Sequence, residues 1–507
     1  MNSSTLTKVK EIIIFGGGTS GWMTAAYLSR NLRFRPKITL IEDVSKGPIG
    51  VGEGTQPSTA PFLYDCGLKP KEWMKIADSA FKYGVELNGW TDKPYFIDND
   101  VEETSLISEN FYTNHYFQNK SIDEYNDFLP SYQLAKDNIS PKLGTFDQNF
   151  AVAEKNTGAF HFNAYKIVEA LKSVCIENIN HVDATIKDVI KGTNGIEKLI
   201  SQDGTEYSAD LYVDCSGFTS ILLDKTLNEP FDSYSDYLLC DSAVAMPTQY
   251  TNPQEECHPY TKATTMTAGW RWTIPTFGRI GNGYVYSSKY ISAEDAEKEL
   301  RETIGEYDAP AKHLKIRCGK HKRVAVDNVV AVGLSAGFIE PLEATGITFS
   351  TTIIKTLGHA LNNTSNVWNK KAKEFINDFF ETSVTEILAF VWAHYKFSTR
   401  SDTKFWQDVH KLEHTSLPDK SKKIIEKLLT EHPLEYMLNY NSIFSIPQWF
   451  GMLHAGNVYK DRPVELTEEQ ELYGKYFCDV QKQRVKMVKD IFKNHYDYLE
   501  ELYSDGS

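Results

Sequence analysis

Residues 16–21 read Gly-Gly-Gly-Thr-Ser-Gly, and the spacing Gly16-x-Gly18-x-x-Gly21 is that of a turn able to hold a pyrophosphate. Such chemistry is done by the backbone. Gly16 makes the tight turn, Gly18 lets phosphates approach the main chain, and Gly21 lets the following helix pack on its strand. The amides at the helix start, around Thr19 and Ser20, face the anion. Glu42, 21 residues beyond Gly21, is placed to take ribose hydroxyls. The glycines alone would also suit an ordinary strand-to-helix turn. Their context narrows the reading: Glu11–Phe15 is a short, mostly apolar run, Trp22–Asn31 reads as a helix, and Lys37–Ile41 is a second strand closing on Glu42.

The cadence returns twice. Tyr207–Val213 runs into Asp214-Cys215-Ser216-Gly217-Phe218, and Val329–Val332 into Gly333-Leu334-Ser335-Ala336-Gly337-Phe338. Strands ending this way predict further backbone contacts, including one at Gly333, to a single long cofactor. A simple NAD dehydrogenase has no need of the Val329–Gly346 segment, so FAD stretched across a sheet is favoured. Metal chemistry is not expected. The seven cysteines are scattered without a Cys-x-x-Cys pair, the 13 histidines contain no His-Glu-x-x-His, and Cys318 with His321 lacks a second pair at ligand spacing. An odd, dispersed cysteine set also argues against a disulfide framework.

The elements that must position these residues belong to a chain of 507 residues with 54 basic and 68 acidic side chains, a net charge of −14 and 41% hydrophobic residues. An acidic balance with no basic block beyond Lys420–Lys423 argues against nucleic acid as the main partner. No apolar run approaches the roughly 18–20 residues of a membrane span, and the N-terminus reads straight into a strand with no signal-peptide core. A cytoplasmic location is expected. The fold expected is α/β. A Rossmann-like FAD-binding sheet module with sheet-rich insertions would occupy residues 1–354, and a largely helical region, residues 355–507, would cover the substrate site within a single compact body. Lys71–Glu86 reads as a helical patch, Ile347–Leu361 as a helix, and Glu197–Ser201 with Tyr207–Val213 as hairpin arms about Asp203-Gly204. Thr467-Glu468-Glu469-Gln470 is a capping box, ahead of an expected core stripe of Phe477, Val480, Met487, Val488, Ile491 and Leu499.

Seven segments, in order, resemble the flavin-dependent tryptophan halogenases, two-component FAD-dependent enzymes, over nearly the full chain. They are Gly16–Gly21, Val51-Gly52-Glu53-Gly54-Thr55, Phe81-Lys82-Tyr83-Gly84, Asp214–Phe218, Trp270-Arg271-Trp272-Thr273-Ile274-Pro275, Gly337–Gly346 and Arg400-Ser401-Asp402-Thr403-Lys404-Phe405-Trp406. The Trp-x-Trp-x-Ile-Pro string is that family's hallmark. The resemblance implies that reduced FAD, diffusing from a separate flavin reductase, reacts with oxygen and a bound halide (chloride, bromide or iodide) to yield hypohalous acid. This species passes through a tunnel to a lysine beside an electron-rich aromatic substrate. By motif the lysine is Lys82, which either hydrogen-bonds the hypohalous acid or becomes a haloamine. The matching glutamate is Glu343, which orients the oxidant and stabilises or deprotonates the cationic ring intermediate. Thr345 and Gly346 would offer amides to the halide, Gly346 also lying against the flavin, and Trp270, Trp272 and Pro275 would line the tunnel.

An ammonium suits donation to hypohalous acid, and a nucleophilic amine would need burial to lower its pKa. Glu343, an anion near a cationic ring, stabilises it electrostatically; it would equally serve the start of the following helix. One stretch departs from the family. Its tryptophan-specific members clasp the amino acid with paired tyrosines, an acid and a phenylalanine, whereas Leu438–Phe450 here has the single Tyr440 and no acid. An apolar pocket of Ile443, Phe444, Ile446, Trp449 and Phe450 is expected instead, taking simple indoles, phenols or anilines in preference to free tryptophan. The competing readings are a flavin-dependent aromatic monooxygenase without halide chemistry and a non-catalytic flavin-binding protein. A homo-oligomer is compatible with either enzyme.

Overall fold

Glu11–Phe15, three isoleucines between Glu11 and Phe15, forms a strand at the middle of a six-stranded sheet. Both of its faces are covered, which is why the run is continuously apolar rather than alternating. The computed structural model describes residues 7–47, 53–99, 116–143, 159–305, 308–431 and 442–504. In this sheet the order is Ala325–Val326, Val329–Ala331, Leu211–Asp214, Glu11–Phe15, Lys37–Glu42, Asn180–Asp183, all parallel except the first. The expected glycine-ended strands, at Phe15, Asp214 and Ala331, are therefore neighbours with their C-terminal ends at one edge. Open parallel sheets bind ligands at that edge.

A second, seven-stranded sheet runs Lys312–Lys315, Ser242–Thr248, Ile280–Tyr286, Gly269–Pro275, Thr261–Met266, Gly84–Asn88, Tyr95–Asp98. A small antiparallel sheet of Glu53–Gly54, Ala159–Phe162 and Ala80–Lys82 joins the two regions. Beyond residue 363 the described chain is nearly all helix, apart from the short strand Val367–Trp368, and its longest helix, Lys370–Lys396, is buried continuously from Ser383 to Tyr395. The helix Thr345–Asn363 packs against both Thr19–Asn31 and Lys370–Lys396, so it ties the dinucleotide turn to the helical part. Among the described residues no helix is long and apolar enough to cross a membrane.

Three expectations need correction. Lys71–Glu86 is not one helix: Pro70–Ile76 is helical, Asp78 turns the chain at φ 54°, and Ala80–Lys82 and Gly84–Asn88 are strands. Lys82 thus lies on a strand. The Asp203-Gly204 hairpin forms, but its second arm is only Glu206–Tyr207. Leu211–Asp214 crosses to the parallel sheet because Asp210 accepts hydrogen bonds from the amides of Lys10 and Glu11 at 2.8 and 3.0 Å. The C-terminal stripe also breaks. Its capping box is present, yet the helix stops at Lys489, leaving Met487 50% and Ile491 54% exposed, while Leu499 is buried on a separate helix.

Candidate active site

A cavity of about 500 Å³ opens at the edge where the parallel strands end. Gly16, Gly18, Thr19, Ser20, Glu42, Gly333, Thr345 and Gly346 all line it, so these residues, expected at the cofactor and the halide, do converge. Their backbone chemistry is visible atom by atom. A Cβ on Gly16 (φ 115°) would lie 2.3 Å from the carbonyl oxygen of Cys215, and one on Gly21 would lie 1.9 Å from that of Gly16. Gly21 therefore serves helix-to-strand packing and does not line the cavity. A Cβ on Gly18 would meet nothing within 4 Å, and a side chain there would enter the cavity. Gly18 is also the N-cap of Thr19–Asn31, with no side chain to cap the helix amides. Those donors are left for an anion, as a dinucleotide phosphate requires.

Glu42 ends its strand beside Gly17, but one of its oxygens is engaged: Lys172 Nζ and His181 Nε2 reach Oε1 at 3.2 and 2.9 Å. Only Oε2 is left for a ribose. Opposite the fingerprint, the helix Thr345–Asn363 also begins without a side-chain cap, because its N-cap is Ala344, held left-handed at φ 55°. Among the described residues Thr345 Oγ1 is buried without a partner, and a Cβ on Gly346 would meet nothing within 4 Å. Ser20 Oγ and Ser350 Oγ, 3.0 Å apart, fasten the two helix starts together. Two uncapped helix N-termini on one cavity fit an extended phosphate-bearing cofactor and a small anion.

Lys82 and Glu343 do not line this cavity. They lie behind a strip, Glu53–Gln56, whose Glu53 and Gly54 face the cavity. Next along the strip, the carbonyl of Thr55 accepts a hydrogen bond from Lys82 Nζ at 2.9 Å, and Gln56 Nε2 donates to the carbonyl of Glu343 at 2.5 Å. Asn99 Nδ2 fixes Gln56 by donating to its Oε1 at 3.0 Å. Lys82 is 1% exposed and Glu343 is fully buried. Burial pulls the Lys82 pKa down to about 8, with the Glu343 carboxylate pulling the other way. Burial and the Lys82 charge hold the His161 imidazole well below its ordinary range, so it is neutral; its Nε2 lies 2.8 Å from Thr261 Oγ1. Burial and Glu343 keep the Tyr95 hydroxyl protonated.

Trp270 and Trp272 share one strand face and both line the cavity, their ring centroids 6.3 Å apart. Gly283 pairs with Trp272 across the sheet, and a Cβ there would lie 2.0 Å from the indole, so the glycine makes room for that ring. Trp270 Nε1 donates to Glu340 Oε2 at 3.1 Å. Pro275 closes the strand outside the cavity, and Ile274 faces it instead. Of the expected substrate-pocket aromatics, Phe444, Trp449 and Phe450 are fully buried. Phe390 stacks on Phe444 at 3.8 Å and meets Trp449 edge-on at 4.6 Å. Val51 and Gly52 of the second motif, and Leu438–Asn441 including Tyr440, lie outside the described residues.

Sequence reasoning missed Gln56, Glu340 and His394. Glu340 stands inside a quoted motif, and Gln56 follows one directly. His394 has no such signal, since it sits in an apolar run that reads as core helix. It lies 3.4 Å from Glu343 Oε1, both side chains fully buried.

Parallel-sheet glycine turns and two open helix starts thus meet at one cavity, with a buried lysine–glutamate pair behind the Glu53–Gln56 strip. The chain matches the tryptophan halogenase family over residues 11–471. It is 32% identical to the 7-chloro-L-tryptophan 6-halogenase KtzR of Kutzneria sp., over 96% of this chain and 98% of that one. Its fold superposes on the tryptophan 6-halogenase SttH of Streptomyces toxytricini with a TM-score of 0.85 at 28% identity, covering 97% and 99% of the two chains. A flavin-dependent halogenase from Xanthomonas campestris gives 0.84 at 25% identity, covering 98% and 99%. The chain belongs to the tryptophan halogenase family and is a flavin-dependent halogenase, an oxidoreductase using FAD and halide. The α/β fold with a helical C-terminal part is that of these enzymes, and the monooxygenase reading gives way to it.

Proposed function

We propose that this enzyme halogenates a neutral, electron-rich aromatic ring, with Lys82 handling hypohalous acid and Glu343 serving the ring cation. The observation that carries this reading is the pair of buried, electrostatically coupled charges behind the Glu53–Gln56 strip. When bound, reduced FAD from a separate reductase supplies the two-electron oxidation of chloride, bromide or iodide by oxygen. The Gly16–Gly21 turn, Glu42 and Gly333 would hold the cofactor, and the amides of Thr345 and Gly346 the halide. Trp270 and Trp272 keep the ring substrate away from the flavin, and Glu53–Gln56 separates the two sites. Residues 1–354 act as the FAD-binding module and residues 355–507 as the substrate-side region, integral because the Thr345–Asn363 helix belongs to both.

With a pKa of about 8, Lys82 is roughly ten parts ammonium to one part amine at pH 7. That favours hydrogen-bond donation over a haloamine. The ammonium donates to the oxygen of hypohalous acid; as a ring carbon takes the halogen, the oxygen–halogen bond breaks and the oxygen leaves as water with the Lys82 proton. Glu343 stabilises the resulting ring cation and accepts its proton. Lys82→Ala should abolish product while flavin binding and oxidation continue. Halogenated product at the native yield would overturn the assignment.

The substrate inference rests on Glu386, the buried acid nearest the divergent segment. Its Oε1 and Oε2 accept from the Ile443 amide at 3.0 and 2.9 Å, and Oε1 also from the Phe444 amide at 3.1 Å and from the Ser442 hydroxyl. Three donors of the segment itself already engage Glu386, so a substrate ammonium would have to compete with them, and an unpaired buried charge is costly. The relatives above act on tryptophan or chlorotryptophan by name; here kcat/KM for a neutral indole should exceed that for tryptophan, and the reverse order would sink the inference. All seven cysteines are free, as suits a cytoplasmic enzyme.

A further inference from the structure

We propose that His394 is a positioning residue that acts through Glu343, receiving from it the proton released by the aromatic ring. The inference rests on the reading of Glu343 just given. His394 Nδ1 lies 2.8 Å from the carbonyl oxygen of Phe390. A carbonyl only accepts, so Nδ1 carries a hydrogen and the neutral ring has its lone pair on Nε2. That nitrogen faces Glu343 Oε1 at 3.4 Å. Among the described residues neither side-chain oxygen of Glu343 nor His394 Nε2 has a hydrogen-bond partner. Two fully buried acceptors that face one another repel unless a proton lies between them. The pair is therefore built to hold one proton more than a neutral imidazole and a carboxylate.

Among the described residues, the rings packed against the imidazole offer no competing base. Phe390 and Trp90 pack edge-on to the imidazole at 4.8 and 6.2 Å, and Tyr95 stacks at 6.3 Å with its hydroxyl kept protonated. Lys82, having given its proton to the departing water, is the competing base beside Glu343, and the His394 variants below separate the two routes. His394 also stands in the last turn of Lys370–Lys396, where the helix dipole favours a cation. The next residue, Tyr395, turns to Glu340 instead, donating to its Oε2 at 2.5 Å. In the step, the ring C–H bond breaks, its electron pair restores aromaticity, and the proton goes to Glu343. It then passes to His394 Nε2, leaving a carboxylate and an imidazolium whose Nδ1–H remains on Phe390. No oxidant or reductant is consumed.

The test uses the whole enzyme with an indole carrying hydrogen or deuterium at the halogenated carbon. His394→Asn leaves an amide able to donate to the Phe390 carbonyl but no proton acceptor facing Glu343; the longer His394→Gln carries the same expectation. Flavin binding and flavin oxidation rates report an intact fold. In the native enzyme halogen attack breaks no C–H bond and no primary isotope effect is expected. In either variant product per flavin oxidised should fall about tenfold, at or below the low end of general-base effects, and a primary isotope effect should appear. A merely structural loss lowers the yield without one. As a second readout, ¹⁵N spectra of the histidine-labelled protein without flavin should show His394 protonated at Nδ1, with its Nε2 signal shifting in Glu343→Gln. An isotope effect in Glu343→Gln but in neither His394 variant would overturn this inference and leave Glu343 as the base. No isotope effect in any variant would overturn both.

Discussion

The cofactor cavity and the Lys82–Glu343 site sit on either side of four residues, Glu53–Gln56, yet they are made of different material. The cavity is largely backbone: glycine turns and helix starts whose side chains are too small to cap them. The site behind it is ionisable side chains with little solvent exposure: Lys82 is held by the Thr55 carbonyl, whereas Gln56 holds only the backbone of Glu343, whose carboxylate oxygens have no hydrogen-bond partner among the described residues. Backbone donors at a helix start are satisfied by water until a ligand replaces it. A buried charge has no such recourse and must be held by fixed partners. The first kind of site is suited to binding, and the second is the kind the proposed chemistry requires.

The sharpest test of the contrast is a pair of variants. Gly18→Val puts a branched side chain where a Cβ now meets nothing, and should weaken FAD binding by roughly 100-fold or more with the melting temperature little changed. Lys82→Met should do the opposite: flavin titration as in the native enzyme, product gone. If Gly18→Val still binds flavin normally, the cavity is not the dinucleotide site.

The two regions also differed in how far they could be read in advance. Gly16–Gly21, Gly333 and Thr345-Gly346 act through local conformation, which a short string of residues encodes. Lys82 was recognisable by motif, but its strand was not: Lys71–Glu86 has a helical pattern that ends at the left-handed Asp78. The reach of Glu42 depends on Lys172 and His181, more than 100 residues away. His394 was invisible because an imidazole within Ala389–Tyr395 looks like core until the fold sets Glu343 against it. Local backbone sites are written in spacing, whereas buried charge pairs are written in tertiary contacts.

Glu343→Gln keeps the shape and removes the charge, and should lower halogenation by about 10²-fold, the scale of a lost electrostatic stabiliser. Flavin oxidation should be unaffected. The charge state of Lys82 gives a smaller effect of definite sign. If the ammonium donates to hypohalous acid, product per flavin oxidised falls as pH rises through about 8. Neutral His161 and protonated Tyr95 do not change state there. A yield that climbs through the same range would favour the haloamine.

Lys82 should also weaken the fold it serves. Below pH 8 it is protonated in both states, and the folded protein carries the full burden of a desolvated ammonium. Between about 8 and 10.5 the unfolded chain binds more protons than the folded one, so native stability rises with pH. Lys82→Met should therefore stabilise the protein by about 1–3 kcal/mol at neutral pH, a gain that shrinks over this window. Denaturant titrations at pH 7 and pH 10 measure it. A destabilised Lys82→Met would mean that the Thr55 and Glu343 contacts outweigh desolvation.

The smallest catalytic effect should come from Glu340, a buried acid that holds the cavity-lining Trp270. Its Oε2 accepts from Trp270 and Tyr395, its Oε1 has no partner among the described residues, and burial pushes its pKa up to about 7. Its task is to fix a wall residue, and two donors need only one acceptor oxygen for that. Glu340→Gln retains a carbonyl oxygen, so activity should stay within about threefold, the low end of what one neutral hydrogen bond contributes. Stability reports the charge instead. Between pH 4.5 and 7 the folded protein binds more protons at Glu340 than the unfolded chain, so native stability falls as pH rises through that window. The Gln variant lacks this slope. Glu340→Leu removes both hydrogen bonds and leaves the Trp270 and Tyr395 donors buried and unpaired, at about 1–3 kcal/mol each. It should release Trp270 and cut product per flavin several-fold. Were Glu340→Gln as damaging as Glu343→Gln, a charge would be at work on the cavity side too, and the division between a backbone-built cofactor site and a charge-built reaction site would fail.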